Sequence, residues 1–61
     1  MDYTTSGRVF EVFKMFCEST WFDWVQARVS TDQANREIDQ KRRDLESRWH
    51  IKLAPYVIGQ D

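Results

Sequence analysis

Apolar side chains recur at helical spacing from residue 9 onward. Val9, Phe13, Phe16, Cys17, Thr20, Trp24 and Ala27 fall on one face at about 100° per residue, the i, i+3/i+4, i+7 stripe of a helix facing a core. Met15, Phe22, Val25 and Val29 form a second row on roughly the opposite side, with Phe10 and Trp21 on the flank between the two. A helix apolar nearly all round has to be surrounded. This helix is expected to begin after Thr5-Ser6-Gly7, with Thr5 or Ser6 as its N-cap, and to run to about residue 29. Within it, Glu18-Ser19-Thr20 marks a place where the helix can kink or restart, because Ser and Thr hydroxyls compete for backbone partners.

The second segment reads differently. Ser30-Thr31-Asp32-Gln33 has the form of a capping box, in which Ser30 accepts from a free backbone N–H and Gln33 reaches back to it. Val29 is placed to staple onto Ala34 across that cap. A helix then runs from residue 31 to about 50 or 53, roughly 20 residues and roughly 30 Å. Pro55 stops it by removing a donor and biasing Ala54 away from helical dihedrals. The apolar stripe of this helix is narrow: Ala34, Ile38, Leu45 and Trp49, interrupted by Lys41 and Arg42. The following Tyr56-Val57-Ile58-Gly59 is too short and β-branched for a third helix, so it is expected to lie extended over apolar surface or to take its order from a partner.

These elements predict an all-α fold for residues 1–61 as one small domain: an antiparallel helical hairpin, three helices if the first segment breaks near Ser19, and a short extended C-terminal tail. One narrow stripe cannot cover both rows of the first helix, and the uncovered row leaves several kcal/mol of burial unrealised at about 25 cal/mol per Å². Two hairpins pairing into a four-helix bundle would cover it, so a homo-oligomer is expected. In length and layout the hairpin resembles the plasmid-encoded helical-hairpin dimers, a likeness of architecture without a shared motif.

Composition narrows the class. With 61 residues, 41% of them hydrophobic, one Pro and two Gly, the chain is too apolar for a disordered tail and too poor in turn residues for a β fold. Nine basic against ten acidic side chains give a net charge of −1, which draws the chain to neither nucleic acid nor an anionic membrane. A single Cys17 rules out an intramolecular disulfide, and with a single His50 it rules out a Cys/His zinc site, so no metal and no cofactor are expected. No basic-then-apolar leader and no run of 18 apolar residues is present, which points to the reducing cytoplasm.

Candidate chemistry is sparse. Lys41-Arg42-Arg43, with Arg36 and Lys52, suggests phosphate contacts, but Asp32 with Arg36, Glu37 with Lys41, Asp39 with Arg43 and Asp44 with Arg48 are acid-before-base pairs at i, i+4 that neutralise the face. Arg42 lacks an upstream partner at that spacing and is expected to snorkel or to pair with Glu11 or Glu18. His50 belongs near a helix C-terminus in a cap-like role. Cys17 reads as a buried small hydrophobe. No nucleophile–base pair, phosphate loop or ligand-sized cavity is apparent, so an enzyme is not expected. The strongest functional feature is the aromatic surface: Phe10, Met15, Trp21, Phe22, Val25 and Val29 form the expected partner-binding set. The reading is a non-enzymatic module that binds and occludes or bridges a protein, like small phage- or plasmid-encoded inhibitors of host proteins. The alternative is a small dimeric nucleic-acid-associated regulator using Arg36, Arg42, Arg43 and Lys52.

Overall fold

A computed structural model of the protein describes residues 3–59, with side chains described from residue 7 onward. Two helices, α1 (Tyr3–Val25) and α2 (Thr31–Trp49), pack as an antiparallel hairpin, and residues 51–59 return in extended form toward the start of α2. The principal extents are 41 × 19 × 16 Å, two helix diameters across at most, so the seam between the elements is the whole interior.

α1 already runs through Thr5, Ser6 and Gly7, so neither Thr5 nor Ser6 is the N-cap; their side chains lie outside the described residues. It is also continuous through Ser19. Thr20 is buried on the inner face, and among the described residues no buried side-chain nitrogen or oxygen lacks a partner, so the hydroxyl does not disrupt the helix. The helix ends at Val25, earlier than expected, because Ala27 adopts the left-handed conformation at φ 60°. Its N–H donates to the Trp24 carbonyl (3.0 Å) and the Arg28 N–H to the Asp23 carbonyl (2.8 Å), the two reversed bonds of a Schellman turn. Two assignments change as a result. Ala27 leaves the inner stripe and is exposed, and Val29, beyond the helix, folds inward against the core instead of extending the outer row.

α2 starts where the cap predicts. Ser30 Oγ accepts from the Gln33 N–H (3.1 Å), but the Gln33 side chain does not return to Ser30; it donates to Glu37 Oε2 (2.7 Å). The stop is His50, not Pro55. His50 is left-handed at φ 54°, and its N–H and that of Ile51 both donate to the Glu46 carbonyl. Of the expected stripe, Ala34, Ile38 and Leu45 are buried, whereas Trp49, in the last turn, is half exposed.

The tail supplies the third layer. Leu53 and Ile58 join Val9, Phe13 and Cys17 of α1 and Ala34, Ile38 and Leu45 of α2 in one cluster, with Phe16, Trp24, Val29 and Ile51 packed against it. Three backbone bonds fix the tail. The Asn35 amide pairs with Ile58 as a peptide group would, Nδ2 donating to the Ile58 carbonyl (3.1 Å) and Oδ1 accepting from its N–H (2.7 Å). At the other end Glu46 Oε2 accepts from the Leu53 N–H (2.7 Å). Gly59 closes the segment at φ 79°, where an added Cβ would stand 3.1 Å from Thr31 Cγ2, and Thr31 Oγ1 in turn accepts from the Trp24 indole N–H (2.9 Å).

Candidate docking surface

With its inner face occupied by α2 and the tail, α1 turns the rest of its apolar residues to solvent. Relative exposures are 50% for Phe10, 62% for Met15, 46% for Trp21, 57% for Phe22 and 52% for Val25. Five of the six residues expected to bind a partner therefore share the outer part of one helix, and Val29 does not join them. The chain exposes 4883 Å² in all, against about 4,200 Å² for a compact monomer of 7.4 kDa.

Open grooves flank α1. One, of about 410 Å³, lies between α1 and the tail and includes Phe10, Lys14, Glu18, Pro55 and Tyr56 in its walls. Another, also about 410 Å³, lies toward the end of α2 between Val12, Arg48 and Trp49. The expectation of no ligand-sized concavity is corrected to this extent. Val12 and Trp49 were not among the expected surface residues, and the signal for Val12 was weak because one valine beside a stripe of Phe and Trp changes the pattern little.

The basic residues are arranged otherwise than a phosphate-binding field would be. Arg42 lies between Asp39 (2.8 Å) and Glu46 (3.3 Å), on its own helix and not against Glu11 or Glu18. The hydrogen bond that Arg42 donates to Asp39, with the charge of Glu46, raises the guanidinium pKa further above its ordinary value. Arg43 also pairs with Asp39 (3.1 Å), and Arg48 with Asp44 (3.7 Å), two of the four expected i, i+4 pairs. Among the described residues the other two do not form: Glu37 accepts from Gln33, and Lys41 Nζ sits 5.5 Å from the centre of the Phe16 ring. Arg36 and Arg43 stand seven residues apart on the side of α2 away from the core, Arg42 borders the core, and Lys52 is exposed in the tail.

Cys17 is buried, and that burial, with the Glu18 carboxylate beside it, pushes its thiol up to about 11, so it carries no thiolate at neutral pH. His50 contributes its backbone to the helix end. Among the described residues no group of three or more His, Cys, Asp or Glu stands together as metal ligands, and no helix is long and apolar enough to cross a membrane. Comparison with protein-family models, with curated proteins and with solved structures returns no match.

Proposed function

We propose that this chain is a non-enzymatic protein-docking module, a small cytoplasmic inhibitor that binds a protein through the outer face of α1 and thereby occludes or bridges it. The observation that carries the reading is the exposure of Phe10, Met15, Trp21, Phe22 and Val25 on a helix whose other side is already covered by its own chain. Exposed Trp and Phe are the side chains that dominate protein interfaces, and five on one surface exceed the scattered apolar exposure of an ordinary monomer.

The test is capture from the native host by immobilised wild type, a Trp21→Ala/Phe22→Ala variant and an Arg36→Glu/Arg43→Glu variant. A protein partner should be held by the wild type and the Arg variant, and persist between about 0.1 and 1 M salt. Trp21→Ala alone should weaken it by about 2 kcal/mol, the scale of a truncated hot spot. Retention of nucleic acid that falls steeply with salt and vanishes in the Arg variant would replace this reading with the nucleic-acid regulator.

A further inference from the structure

We infer that the occupant of this face is a second copy of the chain, paired antiparallel along α1 with Lys14 of each copy against Glu18 of the other. The inference rests on the reading of the outer α1 face as a docking surface and makes its occupant in the free protein a second copy, which a host protein binding through Trp21 would have to displace. Gly7, Phe10, Lys14, Glu18, Trp21 and Val25 follow one another at spacings of three and four, a single seam along α1.

The charges on that seam are complementary to themselves. In a parallel pair Lys14 would face Lys14 and Glu18 would face Glu18; in an antiparallel pair each Lys14 meets a Glu18, and the two-fold axis repeats the contact. The same register sets Phe10 of one copy beside Trp21 of the other. Because a two-fold axis keeps the tail side of both copies together, that indole arrives at the mouth of the groove of about 410 Å³ between Phe10, Lys14 and Tyr56.

Gly7 is accounted for by the same register, which brings Val25 of the other copy over it. Glycine inside a helix costs about 1 kcal/mol relative to alanine. Within its own chain nothing lies within 4 Å of a Cβ built on Gly7, and its φ is not positive, so neither crowding nor backbone conformation calls for glycine there.

Sedimentation equilibrium across roughly 1 to 200 µM tests the pairing by charge exchange. Wild type should be a dimer. Lys14→Glu and Glu18→Lys, both at exposed positions, should stay helical by circular dichroism yet each raise the dimer dissociation constant about tenfold or more, because the axis doubles the like-charge contact. Mixing the two single variants, or combining them in one chain, should restore wild-type association. A wild type that stays monomeric, a dimer indifferent to either reversal, or single variants that do not recover on mixing would each overturn the pairing. A monomeric wild type that still captures a host protein through Trp21 overturns it while leaving the docking reading in place.

Discussion

The two helices spend their apolar residues in opposite ways. α2 has a narrow stripe, and Ala34, Ile38 and Leu45 are all buried, while Asp39, Arg42, Arg43, Asp44, Glu46 and Arg48 are paired with one another along the helix. α1 buries Val9, Phe13, Cys17 and Thr20 and leaves three rings, a Met and two Val about half in water. A two-helix hairpin has one interior, and its capacity is set by the poorer of the two faces, here supplemented by Leu53 and Ile58 of the tail. The aromatic residues of α1 beyond that capacity do not contribute to holding the hairpin together.

The sharpest way to break this comparison is to truncate one residue on each side of it. Ile38→Ala removes a side chain that is 1% exposed at the middle of the seam and should cost about 2–5 kcal/mol in urea unfolding, enough to unfold much of a domain this small. Phe22→Ala, measured at low micromolar concentration, should change stability by no more than about 0.5 kcal/mol. A loss at Phe22 comparable to that at Ile38 would mean that the outer face belongs to the fold.

Next in size is the tail. Asn35→Ala leaves the buried Ile58 N–H and carbonyl without their partner, at a cost of about 1–3 kcal/mol. Hydrogen exchange should show the Ile58 amide losing protection while α1 and the first turn of α2 retain theirs. If the tail stays protected, Leu53 packing and the Glu46 bond hold it by themselves, and the third layer is apolar in origin.

The turn between the helices is a smaller lever. Ser30→Ala with Thr31→Ala removes both the acceptor for the Gln33 N–H and the acceptor for the Trp24 indole, and should cost about 1–2 kcal/mol by thermal unfolding. Unchanged stability would show that α2 is held by its packing alone and that its start needs no cap.

Much of the hairpin was legible in the sequence because its signals are local. Ser30 before Thr31-Asp32-Gln33 marks a helix start at one position, and the spacing of Val9, Phe13 and Cys17, or of Ala34, Ile38 and Leu45, defines a face at about 100° per residue. What was not legible depends on pairs distant in the chain or on residues without a sequence signature. Asn35 reads as one more polar helix residue until Ile58 is laid against it, and Glu46 reads as a solvated carboxylate until Leu53 returns to it. Arg42 has no acid four residues before it, which leaves snorkelling or Glu11 and Glu18 of α1 as its expected outlets, but Asp39 three residues before it and Glu46 four after it are both in reach on its own helix. The outer face of α1 was legible as an excess of rings; its lower boundary at Val25 was not, since nothing in Gln26-Ala27-Arg28 announces a helix end.

That hidden helix end gives the smallest effect and the finest comparison of the two helices. Both stop at a left-handed residue that is not glycine, Ala27 at φ 60° and His50 at φ 54°. A Cβ at such a φ is strained, and glycine removes the strain while adding freedom to the unfolded chain, so Ala27→Gly should stabilise the fold by about 0.5–1 kcal/mol. His50→Gly relieves the same backbone strain but also deletes a ring at a helix C-terminus. Thermal unfolding of the two variants side by side reads the difference. Equal gains would mean that the helices are ended by backbone geometry alone, and a smaller gain at His50 would assign the shortfall to its imidazole. A loss at Ala27 would show that the alanine methyl packs in the turn, contrary to its exposure, and that the end of α1 is fixed by contacts beyond the Schellman bonds.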